Sequence, residues 1–332
     1  GSGHSARNAE MSRKRWQMTD MARVQTLGAV AADAAPAAPV AAAPPPPALS
    51  DVVFTYSHDG QSRFRRRLIR LIEAASGRNK LERLYRAWRQ RPQVVPEQIF
   101  TAAMRELGLW PEFTEGSYAR VPKEGPLLVV ANHPFGIVDG LTIGHLIATV
   151  RPDVKLMVHS LLCQPPEAKD ALLPVDFGPG PEARRTSAET RRLAVDWLDR
   201  GHVLVIFPAG GVATARRPFA KRAADAAWHP FISRLAGRPG VRVLPVFIHG
   251  QNSRLFQVVS HYSYPLRVAL IFRETTRRMG RAVRIAVGEP LEMDGAAKEG
   301  IVARLRAATF ALAGGQGPAA NDEFVFPRRI RW

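Results

Sequence analysis

Residues 127 to 140 read Leu-Leu-Val-Val-Ala-Asn-His-Pro-Phe-Gly-Ile-Val-Asp-Gly, and this stretch constrains the fold more than any other. Leu127 to Ala131 form an apolar run with no polar member, the pattern of a buried strand. Pro134 ends the ladder and biases His133 toward an extended backbone. Gly136 permits a tight reversal, and Asp139-Gly140 opens an apolar helical run through Val150. The product is a strand–turn–helix corner with a histidine and an aspartate six positions apart. Open α/β sheets place their chemistry at such corners.

A neutral imidazole can take a proton from a hydroxyl when a carboxylate fixes its tautomer and stabilises the imidazolium. No Gly-x-Ser-x-Gly elbow accompanies the pair, and the one cysteine is Cys163. A His–Asp dyad without its own nucleophile points to a hydroxyl carried by the substrate. The same residues admit a structural reading, with Asp139 a plain helix N-cap and His133 a turn residue bonded to backbone.

Further along, apolar runs and helical patterns alternate. Val154 to His159, Val203 to Phe207, Val241 to Ile248, Leu266 to Phe272 and Val283 to Val287 read as strands. Residues Glu189 to Asp199, Ala223 to Leu235 and Ala297 to Leu312 read as helices. This alternation predicts an α/β fold, a layered mixed or mostly parallel sheet flanked by helices. No repeat of the solenoid or propeller kind is present.

Ahead of that domain lie two segments of different character. Residues 1 to 10 begin Gly-Ser-Gly-His and resemble a cloning remnant, with Met11, Met18 and Met21 as candidate natural starts. Ala29 to Ala48 is almost wholly Ala, Pro and Val, which predicts a disordered tether over residues 1–50. No apolar run approaches the roughly 20 residues a spanning helix needs. Within 51–110, Ser62 to Ser76 places Phe64, Leu68, Leu71, Ile72 and Ala75 on one helical face, with Arg63, Arg66, Arg67 and Arg70 mostly off it. Two more helical patterns pass through Leu81, Leu84, Tyr85 and Trp88, then Ile99, Ala103 and Leu107. Such a basic amphipathic helix can lie in a membrane interface, or can pack on the sheet and solvate its arginines. The α/β domain is expected over 111–315, and a basic-aromatic tail over 316–332.

Charge is the strongest compositional fact. The 332-residue chain carries a net +18, which implies an anionic partner: a membrane surface, an acidic carrier protein or nucleic acid would each satisfy it. The basic residues are spread rather than striped and no nucleic-acid motif is present, so nucleic acid is not expected. A single cysteine excludes an intrachain disulfide framework and fits a reducing compartment. No His/Cys/Asp set has zinc spacing, so no metal is expected. His159, His202 and His249 read as packed or capping residues rather than ligands, and His145 lies in the helix after Asp139 without a ligand partner at i+4.

The Asn132-His133-Pro134 to Asp139-Gly140 stretch resembles the first motif of the glycerolipid and lysophospholipid acyltransferase superfamily. In form it is similar to the bacterial hemolysin-like branch, which includes ornithine-lipid O-acyltransferases. Further segments follow in the superfamily's order: Leu173-Pro174-Val175-Asp176, Val205-Ile206-Phe207-Pro208-Ala209-Gly210-Gly211, Asp225-Ala226-Ala227-Trp228, Val243-Leu244-Pro245-Val246 and Val287-Gly288-Glu289-Pro290. Together they span roughly residues 62 to 312, and four ordered motifs are more specific than any one. The chain also departs from the pattern. Five residues rather than four separate His133 from Asp139. Phe177 stands where the phosphatidate-type enzymes carry an arginine for the acceptor's phosphate, and Ala209 stands where they carry glutamate.

The resemblance implies a peripheral-membrane O-acyltransferase at the cytoplasmic face of the inner membrane. It would move a fatty acyl group from acyl-CoA or acyl-carrier protein to the hydroxyl of a lysolipid, with no other cofactor. His133 would act as general base and Asp139 as its orienting partner. Substrate contacts are expected at Asn132, Gly136, Asp176, Phe207, Pro208, Gly210 and Gly211, the last two as oxyanion donors. Arg184 and Arg185 are candidates for the charge missing at Phe177. Arg216 and Arg217, with Lys221 and Arg222, form a second basic cluster for phosphates. The losses at Phe177 and Ala209 favour an aminolipid acceptor such as lyso-ornithine lipid. The competing expectations are a non-catalytic binder of anionic membrane or nucleic acid, and a thioesterase or lipase-like hydrolase.

Overall fold

A computed structural model describes residues 54–55, 62–91, 98–176, 180–293, 298–315, 317–318 and 322–325. The expected tether, Phe177 and most of the tail lie outside these. Helices α1 (Arg63–Ala75), α2 (Arg78–Arg89) and α3 (Ile99–Glu106) lead into strand β1 (Trp110–Glu115). There follow β2 (Leu127–Ala131), α4 (Ile137–Ala148), β3 (Val154–His159), β4 (Leu172–Val175), α5 (Pro181–Asp199) and β5 (Val203–Ile206). A short hairpin, β6 (Thr214–Ala215) and β7 (Ala223–Ala224), precedes α6 (Phe231–Ala236) and β8 (Arg242–Ile248). The chain continues through α7 (Arg254–Val259), α8 (Tyr264–Arg278), β9 (Ala282–Val287), β10 (Leu291–Glu292) and α9 (Lys298–Ala311).

Among the described residues, an eight-stranded sheet runs β1-β9-β8-β2-β5-β3-β4, with β10 on β8. Strands β8, β2, β5, β3 and β4 are parallel to one another, while β9 pairs antiparallel with β8 and parallel with β1. The expected α/β class with a mainly parallel sheet is the observed one. Strand β2 lies at the centre, and all five of its residues are fully buried. Its alternate side chains supply two layers. Leu127, Val129 and Ala131 join Phe100, Met104, Ile143 and Leu146 on one face. Leu128 and Val130 join Leu198, Ile232 and Leu305 on the other. A strand covered on both sides has no polar position to alternate with, which explains its unbroken apolar run.

Two expectations are corrected. Leu266 to Phe272 is not a strand; it lies within α8. Arg267 through Phe272 are buried, and a short apolar run in a buried site has no period that separates strand from helix. The deciding signal is local: Ser263 Oγ accepts the Leu266 N–H as an N-cap, and Pro265 follows in the first turn. Ala223 to Leu235 is not one helix either. It divides into β7, an irregular connection anchored by buried Asp225 and Trp228, and α6, because Pro230 cannot sit in a helix interior and Asp225 is recruited elsewhere. The edge strands β1 and β4 carry Pro111 and Pro174, which hide them from pattern reading; an edge tolerates the missing N–H.

Helix α3 and its following turn belong to the same core as the sheet, through Phe100, Met104, Leu107 and Leu109. Gly144 lets the Phe100 ring seat against α4, where an added Cβ would stand 2.5 Å from the ring. Helix α1 behaves differently. It packs on α8, burying Ile69, Glu73 and Ser76, and leaves Phe64, Leu68 and Leu71 exposed at 76%, 42% and 68%. Its apolar stripe therefore faces away from the protein, with exposed Arg63, Arg67 and Arg70 alongside.

His145 on α4 is buried, with Nδ1 2.9 Å from Thr101 Oγ1. Burial pushes its pKa from 6.5 down to about 4, so the folded ring stays neutral where the unfolded one is protonated. The unfolded state then binds more protons between those two values. Stability should fall as pH drops from 6.5 toward 4, by up to about 3 kcal/mol in total. Urea unfolding of the wild type and of His145→Gln across that range should show a smaller slope in the variant.

Candidate active site

The site forms where β2 stops. Asn132 continues the strand with its side chain: Nδ2–H donates to the Ile248 carbonyl at 2.9 Å and Oδ1 accepts the Ile248 N–H at 2.7 Å. This amide replaces a ladder pair and pins the corner to β8. The His133 backbone is fixed on both sides, its N–H donating to Asp225 Oδ1 (3.2 Å) and its carbonyl accepting from Ala213 N–H (2.7 Å). Gly136 then turns the chain at φ 93°, a conformation that disfavours any side chain, and caps α4.

Asp139 is fully buried and its Oδ2 is a focus of contacts. It accepts N–H groups from Phe135 at 2.7 Å and Gly136 at 2.8 Å. His133 Nδ1 lies 2.9 Å from the same oxygen. That last contact is within reach but off-line, since Nδ1 makes no well-directed hydrogen bond and Asp139 Oδ1 is also unpaired. The imidazole stacks on Phe207, with centroids 4.3 Å apart and planes 23° from parallel. Nδ1 is thus the ring nitrogen turned to Asp139. Asp139 therefore combines the capping role with the placement of His133, and the two sequence readings are not exclusive.

Asp225 is a site residue that spacing alone did not identify. Its Oδ2 accepts Trp228 Nε1–H at 3.0 Å while Oδ1 holds His133. Burial pushes its pKa above the ordinary carboxylate value, against the pull of the bonds from Trp228 and His133. The Asp225–Trp228 spacing was visible in sequence, but its role depends on a contact across 92 residues. Arg267 is a second such residue. It is buried within α8 and donates to the Val212 carbonyl and Thr214 Oγ1, bracing the segment whose Ala213 holds His133. Burial lowers its pKa to about 10.

The remaining expected site residues divide. Phe207 lies against His133, and Pro208, Gly210 and Gly211 follow it on the same turn. The Gly210 N–H is already donated to the Phe207 carbonyl at 3.0 Å. Asp176 follows β4, three strands from β2, about 14 Å away by strand spacing. There Ser187 clasps its backbone. Arg184 and Arg185 are exposed on the first turn of α5, on that same far side. Arg216 and Arg217 lie on the β6–β7 connection, with Arg216 paired to Asp322 at 3.1 Å.

Beside the corner opens a cleft of about 490 Å³. Asn132, Pro134 and Asp225 line it, together with the positive charge of Lys221, Arg222, Arg278 and Arg284. The Arg278 guanidinium also lies 3.5 Å over the Phe135 ring. These cations come from three separate segments, so no linear motif contains them. No group of three or more metal-ligating side chains is found among the described residues.

Residues 65–309 match the family model described as acyltransferase. The chain belongs to this acyltransferase family. The enzyme assignment agrees with the resemblance carried by its ordered motifs. A solved structure, the 1-acyl-sn-glycerophosphate (LPA) acyltransferase PlsC from Thermotoga maritima, is similar over 77% of this chain and 98% of that one, at 14% identity and a TM-score of 0.41. No curated protein matches the chain.

Replacing Asp225 by Ala would leave two buried donors of this acyltransferase, His133 N–H and Trp228 Nε1–H, without acceptors. Asp225→Ala should cost about 1–3 kcal/mol for each orphaned donor. Chemical denaturation measures the loss, and an unchanged midpoint would contradict the role given to Asp225.

Proposed function

We propose that this acyltransferase moves a fatty acyl group from an acyl thioester to the hydroxyl of a lysolipid at a membrane surface. The observation that carries the reading is His133 Nδ1 held 2.9 Å from the buried Asp139 carboxylate, on a corner that offers no nucleophile of its own. Cys163 does not supply one, because burial pushes its thiol up to about 11.

In this mechanism His133 Nε2 takes the proton from the lysolipid hydroxyl as the oxygen attacks the thioester carbonyl. Asp139 stabilises the imidazolium formed at Nδ1. The tetrahedral oxyanion needs a preorganised donor. Gly210 is already engaged with Phe207, so we assign that task to the Gly211 N–H. Collapse breaks the C–S bond, and His133 returns its proton to the departing thiolate. Neutral imidazole, ester and free thiol remain.

The donor is a coenzyme A or carrier-protein thioester. The acceptor is a lysolipid with an anionic group, and lyso-ornithine lipid is the favoured candidate. Its carboxylate would meet Arg222, Arg278 and Arg284 in the cleft. Access to such a substrate calls for a bilayer contact. The outward Phe64, Leu68 and Leu71 of α1, flanked by arginines, suit the headgroup boundary of an anionic membrane. No helix among the described residues is long and apolar enough to cross a membrane. The location we propose, from the apolar and basic face of α1, is peripheral, at the cytoplasmic face of the inner membrane.

Lipid mass spectrometry on a host expressing the chain, beside its His133→Ala variant, tests the chemistry and names the acceptor. The diacylated product should appear only with His133 intact. In vitro turnover should fall about 10²–10⁴-fold in the variant, the range a positioned general base supplies; retained turnover would end this assignment. Separately, the double variant Leu68→Asp/Leu71→Asp should lose sedimentation with phosphatidylglycerol vesicles while its melting temperature holds.

A further inference from the structure

The β6–β7 hairpin has a rigid base and an apolar tip with nothing on it. Thr214 pairs with Ala224 and Ala215 with Ala223. Residues 216–222 between them read Arg-Arg-Pro-Phe-Ala-Lys-Arg. The Ala220 N–H donates to the Arg217 carbonyl at 3.0 Å, closing a tight turn with Pro218 and Phe219 at its two central positions. Phe219 is 80% exposed, more than any other large apolar side chain among the described residues.

This exposure is not slackness in the loop. At the base, Ala215 N–H donates to Gln257 Oε1 and Ala223 N–H to Gln251 Oε1, each at 2.8 Å. Gln251 Nε2–H donates in turn to the Lys221 carbonyl at 3.0 Å, and His261 Nε2 lies 2.8 Å from the Ala215 carbonyl. Arg267 grips Thr214 from beneath, Arg222 donates to the Gly317 carbonyl at 2.9 Å, and Arg216 pairs with Asp322. The fold thus holds a phenylalanine out in water at the apex of a braced hairpin, between exposed Arg217 and Lys221.

We propose that this hairpin is a membrane-insertion finger, with Phe219 entering the acyl boundary of an anionic bilayer and Arg217 and Lys221 at the phosphate level. It rests on the peripheral-membrane reading above and adds a second, separate contact to it. Three observations favour a lipid surface over a protein partner. The tip is convex and a single ring wide, so it offers little area for a protein interface. Exposed Arg217 and Lys221 flank the ring on either side, matching a continuous anionic surface. The hairpin braces on α8 through Arg267, and α8 also carries α1 with its outward apolar stripe. Lys221, Arg222 and Ala223 also line the cleft beside His133, so an inserted tip sets the cleft mouth against the bilayer. An acyl chain could then pass between membrane and site without crossing water.

The test uses the full chain with phosphatidylcholine vesicles, with and without phosphatidylglycerol. Phe219→Ser should weaken sedimentation with the anionic vesicles roughly tenfold, the effect of one lost buried aromatic. Its melting temperature, and its transfer to a short-chain acceptor dispersed in water, should stay at wild-type levels. Phe219→Trp should show added fluorescence quenching by acyl-brominated lipid relative to the wild type. If the wild type fails to bind anionic vesicles, the membrane reading and the finger fall together. If Leu68→Asp/Leu71→Asp releases the protein but Phe219→Ser does not, the finger alone is overturned. Loss of activity with a carrier-protein donor at unchanged vesicle binding would overturn it too, and would assign the hairpin to protein docking.

Discussion

A fully buried carboxylate needs compensation for the water it gives up, and the Asp139 side chain receives it from the turn that carries His133. The N–H groups of Phe135 and Gly136 converge on Oδ2, at the positive end of the α4 dipole. These two donors set the path of residues 133–137, and that path brings His133 Nδ1 to the same oxygen. The corner would lose its shape without the aspartate, and the aspartate would be costly without the corner. Helix capping and the placement of His133, to which we assign the chemistry, are therefore one arrangement.

The rest of the molecule holds this corner from outside. Asn132 ties it to β8, Asp225 receives the His133 N–H, and Ala213 supplies a donor to the His133 carbonyl. The last two contacts come from segments flanking the β6–β7 hairpin, and Arg267 of α8 braces that region from below. Helix α8 is the shared support. It underlies the hairpin, bears α1, and places Ile271 against Gly136 at 3.3 Å from where a Cβ would stand. The surface we assign to lipid and the residues we assign to chemistry are thus joined through one buried helix.

The corner was legible in the sequence because its parts are contiguous. Strand, proline, glycine and the His–Asp spacing all fall within residues 127 to 140, and each acts on its nearest neighbours. The α8 segment was misread because a buried apolar run looks alike in helix and strand, and Ser263 with Pro265 was the only local clue. The edge strands escaped notice because Pro111 and Pro174 argue against a strand everywhere except at an edge. Arg267, Arg278 and Arg284 stand in no motif, and Asp225 stands in one that gives no hint of its bond to His133, since each acts across a long separation in the chain.

Sequence alone determined the α/β class, the central strand, the turn and the candidate dyad, because short-range sterics and hydrogen bonding dictate those features. It also established the membership of an acyltransferase superfamily as an expectation, through motifs kept in order. The tertiary structure decided which basic residues share the cleft, since strand order leaves Arg184 and Arg185 on the far side and brings in Arg278 and Arg284. It likewise decided the direction of α1. A helical wheel defines an apolar face, but whether that face turns inward depends on what else competes for the core, and here Ile69 and Glu73 take the place against α8.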